Sequence, residues 1–330
     1  MNIVLVSTYD LGRQPFGIAS PAAWLRARGH VVTPVDLAVS PLPSLVVREA
    51  GLVAFHLPMH TATRLAVPVI ARVRRLNPGV PLCAYGLYAP LNEPYLRELG
   101  VGAILGGEFE AGLAELAEGR PPAASVSLER LPFLPPDRAG LPALPRYAKV
   151  HLNGECRAAG YTEASRGCKH LCRHCPVVPV YQGVFRVVAQ DVVMEDIRGQ
   201  VAAGARHITF GDPDFFNGPA HAARIVQALH AEFPDISYDA TIKIEHLLRE
   251  RRLLPLLART GCAFVTSAVE SVDDAVLERL AKGHTRADFI EAAGLMRDTG
   301  LILSPTFIPF TPWTTRPSYV DLLDLLARLD

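Results

Sequence analysis

From Asn2 to about Gly119, short apolar runs alternate with longer stretches in which apolar residues recur at helical spacing. NIVLVS, HVVTPVDL, LVAFHL, PLCAYG and VGAILGG read as buried strands, because near-continuous apolar runs leave no face for solvent. ASPAAWLRARG and ATRLAVPVIARVRRLNP, between them, have the spacing of amphipathic helices. Strand and helix in regular turn predict an α/β fold with a parallel, doubly wound, Rossmann-like sheet, whose ligands sit beyond the carboxyl ends of the strands. The loops at those ends carry TYDLGRQPFG, HLPMHTAT, GLYAPLNEP and GGEFE.

The pattern then breaks. GRPPAASVSLERLPFLPPDRAGLPALPRY is dense in proline and follows neither period, which predicts a semi-rigid linker over 120–150 between domains at 1–119 and 151–330. After it YTEASRGC, HITFGDPD, ISYDATIK, CAFVTSAVE and LILSPTFIPF are strand candidates separated by helical stretches such as DVVMEDIRGQVAAGA and GPAHAARIVQALHAEF. Repeated β/α units with polar strand ends predict a partial (β/α) barrel that works at its strand C-termini. Five units fit before Asp330, so the reading expects either an open sixth position or a further C-terminal segment.

Composition narrows the function classes. Lysine plus arginine and aspartate plus glutamate number 33 each, and 49% of residues are hydrophobic, so no polyanion partner is implied. Lysine stands only at Lys149, Lys169, Lys243 and Lys282; the remaining positive charge is arginine, spread along the chain. MNIVLVSTYDLG reads as a first strand and no run approaches bilayer length, so a cytoplasmic protein without a membrane partner is expected. In a reducing compartment clustered cysteines hold metal or do redox chemistry more often than they form disulfides.

Three of the six cysteines, Cys168, Cys172 and Cys175, lie within SRGCKHLCRHCP in the spacing C-x-x-x-C-x-x-C. Such a loop can present three thiolates to one centre. A zinc site would take a fourth ligand from His170, His174 or a distant cysteine, and an electron-transfer cluster a fourth cysteine. Three thiolates on a 4Fe–4S cluster would leave one iron open, as a catalyst needs. Cys83 and Cys262 sit in apolar strand contexts and read as core, while Cys156 in NGECRAAG precedes the barrel.

SRGCKHLCRHC placed at the first barrel strand resembles the signature of the radical S-adenosylmethionine enzymes. The resemblance implies that Cys168, Cys172 and Cys175 bind three irons of a 4Fe–4S cluster, that the fourth iron chelates S-adenosylmethionine, and that its cleavage yields a 5'-deoxyadenosyl radical. FGDPDF matches the glycine-rich segment after the second strand, which makes Gly211, Asp212 and Pro213 candidates for the methionine end, against an ordinary strand-to-helix turn. SAVES matches the fourth-strand segment and implicates Glu270 and Ser271, against a carboxylate capping the next helix. Lys243 in DATIKIEHL stands where many relatives place an arginine.

The α/β domain and proline-rich linker ahead of ASRGC resemble the subgroup that carries a cobalamin-binding domain, with HLPMHTATRLA and LGGEFEAGLAEL as the matching loops. No D-x-H-x-x-G stretch is present, so a lower axial histidine from that motif is not expected; His56 and His60 lie nearby. CRHCPVVPVYQGVFRVV followed by HITFGDPDFFNGPAHA resembles the group called CUAEP/CCAEP-tail radical S-adenosylmethionine proteins. Together these imply a reductant such as flavodoxin or ferredoxin, an unidentified substrate and, if cobalamin is loaded, methyl transfer. A cobalamin-independent radical enzyme and a non-catalytic metal module are the alternatives.

Overall fold

The computed structural model describes residues 1–152 and 154–329. The first half is one sheet of six parallel strands in the order β2-β1-β3-β4-β5-β6. Its strands are β1 (Asn2–Ser7), β2 (Val31–Asp36), β3 (Leu52–His56), β4 (Leu82–Tyr85), β5 (Ala103–Gly107) and β6 (Val126–Ser127). The apolar runs became central strands because both faces are covered: Val4, Val6, Val53 and Phe55 pack into one core, Ile3, Leu5, Ala54 and Tyr85 into another. Helices Phe16–Arg26 and His60–Leu76 contribute to these two layers from opposite sides.

The second half carries β7 (Lys149–Leu152), β8 (Glu155–Thr162), β9 (Ser165–Gly167), β10 (Phe185–Val187), β11 (His207–Phe210), β12 (Ser237–Thr241), β13 (Cys262–Glu270) and β14 (Leu303–Phe307). Its main sheet runs β14-β13-β12-β11-β8-β7, with the five strands β8 and β11–β14 parallel and β7 antiparallel at the edge. The five β/α units expected from the pattern are therefore present. The segment YTEASRGC divides differently from its single-strand reading: Thr162 ends β8, and Ser165–Gly167 leaves the sheet to pair antiparallel with β10. Glu155–Gly160 of NGECRAAG lie within β8, its Asn153 being outside the described residues, and the proline-rich stretch adds β6 to the first sheet. Among the described residues no helix is long and apolar enough to cross a membrane.

The proline-rich stretch is tied to both halves by one side chain. Arg138 donates to Asp196 Oδ1 and Oδ2 at 2.9 and 3.0 Å, to the Tyr161 carbonyl at 2.8 Å and to Gln14 Oε1 at 3.1 Å. Asp196, on helix Gln190–Ala202, is 4% exposed, so removing the guanidinium would strand a buried charge. Arg138→Ala should therefore cost about 3 kcal/mol of stability, seen as a lower thermal unfolding midpoint, whereas exposed Arg130→Ala should leave the midpoint unchanged.

Candidate functional site

The cysteine loop begins where β9 ends and closes at helix Val177–Tyr181. Cys168 and Cys172 are buried and Cys175 is half-buried. Burial pushes the Cys168 and Cys175 thiols above the ordinary thiol range, so their ionised forms need a positive partner such as a metal. The Asn217 side-chain oxygen accepts the Lys169 backbone N–H at 3.2 Å and lies 3.9 Å from Cys168 Sγ. Lys243, buried, places Nζ 3.8 Å from Cys172 Sγ.

The donor set fits a cluster that leaves one iron open: Cys168, Cys172 and Cys175 share one loop, whereas Cys83 lies in the core of the first sheet and Cys156 and Cys262 lie at the amino-terminal ends of β8 and β13.

The remaining sequence candidates fall around this loop in unequal roles. Gly211 follows β11 against the Tyr161 ring: a Cβ there would come 1.9 Å from the phenol oxygen, so only glycine fits. Gly211 and Pro213 line an open cleft, but the Asp212 carboxylate turns back to the Ala164 backbone N–H (3.0 Å) and the Ser165 hydroxyl. Burial raises Asp212 to about 6 despite those bonds. Glu270 adopts φ +71°, uncommon for a residue with a Cβ, at a register shift in β13. Its Oε1 meets His174 Nε2 at 3.0 Å and Lys282 Nζ at 3.5 Å. Burial opposes ionisation there, but these two partners outweigh it and hold the carboxyl below the usual range. Glu270 caps no helix; Asp273 caps Asp274–Leu280, and Ser271 Oγ accepts the Asp273 N–H.

Sequence reasoning missed the charged seam beside this loop. Arg166, two residues before Cys168, meets Glu110 at 2.7 Å, Glu108 at 3.2 Å and Glu163 at 2.9 Å, and donates to Ser20 Oγ at 3.1 Å. Rings of Phe16, Phe109 and Phe133 surround its guanidinium. Glu108 and Glu110 follow β5 in GGEFE, a strand-end loop that the sequence matches to the cobalamin-binding domain without pairing its carboxylates to Arg166. The pairing of Glu270 with His174, which the sequence offers only as a fourth zinc ligand, and with Lys282 spans 96 and 12 residues and leaves no local pattern.

The cleft lies between the carboxyl ends of the two sheets, with about 1010 Å³ of free space that includes its solvent mouth. Gly17, His56, Gly86 and Phe109 line it from the first half, and Tyr161, Gly167 and Val177 from the second. His56 at the end of β3 is wedged so closely that a Cβ on Gly17 would lie 2.0 Å from its ring. Burial, helped by Arg166, lowers its pKa to about 3, so the ring is neutral, and its buried Nδ1 has no hydrogen-bond partner. His60 is exposed at the start of its helix, and Cys83 belongs to the core. Cys156 is exposed near the opposite end of β8 from Thr162. Trp313 is 40% exposed, with Arg279 5.0 Å over its ring.

Residues 162–326 match the family described as the Radical SAM superfamily. The chain is 25% identical over 329 residues to hopanoid C-3 methylase of Methylococcus capsulatus, an alignment covering 91% of this chain and 62% of that protein. It is 28% identical over 180 residues to tRNA-2-methylthio-N(6)-dimethylallyladenosine synthase of Desulfosudis oleivorans, covering 52% and 38%. The chain thus spans less than two thirds of either relative's length. In fold it is similar to the radical S-adenosylmethionine methyltransferase TsrM of Kitasatospora setae solved with cobalamin and a [4Fe-4S] cluster (TM-score 0.78, 17% identity, covering 100% of this chain and 73% of that one). It is also similar to OxsB, described as a cobalamin-dependent S-adenosylmethionine radical enzyme, solved with aqua-cobalamin (TM-score 0.74, 15% identity, covering 99% and 52%).

The seam makes stability depend on pH. Burial pushes Glu108 up to about 7 and Glu163 up to about 8, against the pull of Arg166. Between the ordinary glutamate range and these values the folded chain holds more protons than the unfolded one, so their contribution is complete at low pH and is lost as pH rises through 7 to 8. The unfolding midpoint of the cofactor-free chain should fall from about pH 6 to about pH 9, and Glu163→Gln should flatten that fall. An equally steep fall in the variant would contradict the assignment.

Proposed function

The chain belongs to the radical SAM superfamily, and on that premise we propose that it cleaves S-adenosylmethionine reductively at a 4Fe–4S cluster held by Cys168, Cys172 and Cys175 and couples this to cobalamin-dependent methyl transfer. A 4Fe–4S cluster and S-adenosylmethionine are the cofactors of that superfamily. The observation that carries the reading is positional: the cysteine loop follows β9, a few residues beyond the carboxyl end of β8 in the main sheet, and the residues bracketing it, Gly167 and Val177, line a cleft roofed by the carboxyl edge of the other sheet. A 4Fe–4S cluster held by Cys168, Cys172 and Cys175 would supply the reductive cleavage of S-adenosylmethionine, and cobalamin at the strand ends of the first sheet would supply a transferable methyl group.

The chain's own residues bind, orient and enclose. Buried Lys243 and Lys282 offset the negative charge of three thiolates in a low-dielectric site. Gly211 and Pro213 present backbone to the cleft, where the methionine end of S-adenosylmethionine is placed, and Asp212 holds their turn against Ala164 and Ser165. Glu270, fixed by His174 and Lys282, is the carboxylate we assign to the cofactor's polar end, with Ser271 shaping its turn. Arg166 locks the two sheets over the cleft and so excludes water from a reactive radical. The neutral, unpartnered His56 and the close-packed glycines beside it fit the apolar flat face of a corrin. The electron comes from a small carrier of the flavodoxin or ferredoxin type, and the methyl acceptor is a carbon centre.

Anaerobic reconstitution with iron and sulfide, incubation with hydroxocobalamin and desalting should leave one cobalt per chain and a protein that releases 5'-deoxyadenosine. Cys172→Ala should reduce that release to the background of cluster-free protein. No 5'-deoxyadenosine from the cluster-loaded chain would sink the cleavage reading. Cleavage without retained cobalt would sink methyl transfer and leave a cobalamin-independent radical enzyme.

A further inference from the structure

Behind the cysteine loop lies a second group of potential ligands that the radical chemistry does not use. His170 sits between Cys168 and Cys172, Asp214 follows β11 in GDPDFF, and His246 lies on the helix Ile244–Arg249 that follows β12. One ligand atom from each lies within 4.8 Å of the others. Asp214 Oδ2 is 2.6 Å from His246 Nδ1 and 3.3 Å from His170 Nε2, and the two imidazole centroids are 4.6 Å apart.

Both contacts are at ion-pair distance, yet His170 Nε2, Asp214 Oδ2 and His246 Nδ1 are buried atoms and none of them makes a hydrogen bond of ordinary geometry. Unpartnered buried polar atoms are costly, and three of them converging from separate elements are rare in a native interior. Asp214 is 0% exposed and His246 1%, so solvent does not relieve the cost.

We infer that His170, Asp214 and His246 bind one divalent first-row transition ion, distinct from the centre held by the three cysteines. Two imidazoles and one carboxylate suit zinc or ferrous iron rather than magnesium or calcium, which take oxygen shells. The supports around the ligands are those a metal site requires. The Phe216 backbone N–H donates to Asp214 Oδ1 at 3.1 Å and so aims Oδ2 inward. Glu245 Oε2 stands 3.7 Å from the outer nitrogen of His170, in the place of a carboxylate that fixes the tautomer of a ligating histidine. Lys243 Nζ is 3.4 Å from the same Glu245 oxygen and 3.8 Å from Cys172 Sγ, which sets the ion's surroundings against those of the cluster. With three protein ligands the ion keeps at least one open position. Bound there, it ties the cysteine loop to the ends of β11 and β12.

Zinc alone is a sufficient probe, because it binds such donors more tightly than ferrous iron does. Full-length protein with its cluster reconstituted is treated with a mild chelator, exposed to zinc, desalted, assayed for zinc and iron, and examined by X-ray absorption at the zinc edge. The expected result is one zinc per chain in addition to the cluster iron, with a first shell of nitrogen and oxygen at about 2.0–2.1 Å and no sulfur at about 2.3 Å. Asp214→Asn and His246→Gln should each weaken zinc at least about 100-fold while the cluster iron is retained. Absence of bound zinc in the wild type, sulfur in the zinc shell, or undiminished zinc in Asp214→Asn would each overturn the site. The wild-type spectrum decides the question even if a variant fails to fold. Loss of 5'-deoxyadenosine formation bears only on the cleavage reading and leaves this test intact.

Discussion

The burial of one guanidinium constrains everything around the cleft. Arg166 stands in β9, just before the cysteine loop, and is 6% exposed, so its charge must be matched where it lies. Glu108 and Glu110 reach it from the end of the first sheet, and Glu163 from the end of β8. None of these groups has enough water to be stable alone, and together they bring the carboxyl edges of two separate sheets against each other. The cleft exists because this seam closes on one side of it.

The same logic governs the loop itself. Burial makes the Cys168 and Cys175 thiols resist ionisation, and the polar groups facing the loop are those that a charged centre would need: Lys243 near Cys172, Lys282 near Glu270, Asn217 against Cys168. Glu270 accepts a left-handed backbone at a register shift in β13, and strain of that kind persists where surrounding contacts over-determine it. Here the contacts are His174 from the loop and Lys282 from beyond the next helix. On the far side, His170 carries the loop into a second polar group with Asp214 and His246. The loop is thus held between two polar clusters, one on each side of the thiols.

Architecture was open to reading because it is written locally. Runs such as VLV and VAF become central strands wherever helices cover both faces, and the alternation of strand with helix admits few topologies. The strand pattern located β1 to β5 and the five parallel strands of the second sheet. It merged β8 with β9, because Glu163 and Ala164 between them carry no glycine or proline to mark a break; the Arg166 seam, not local propensity, turns the chain there. The cysteine spacing and the FGDPDF and SAVES strand ends were equally local signals.

What the sequence alone determined, therefore, is the α/β fold, the C-x-x-x-C-x-x-C loop and the strand ends that surround it, since each is specified within a few neighbouring residues. The tertiary structure alone decided which side chains share a site. It turned Asp212 inward to Ser165 while Asp214, two residues on, faces two histidines, and it joined Arg166 to carboxylates 58 and 56 positions before it by number, Glu108 and Glu110. Such partnerships depend on the desolvation of charges brought together from distant parts of the chain, and no periodicity or spacing along a sequence encodes where water will be excluded.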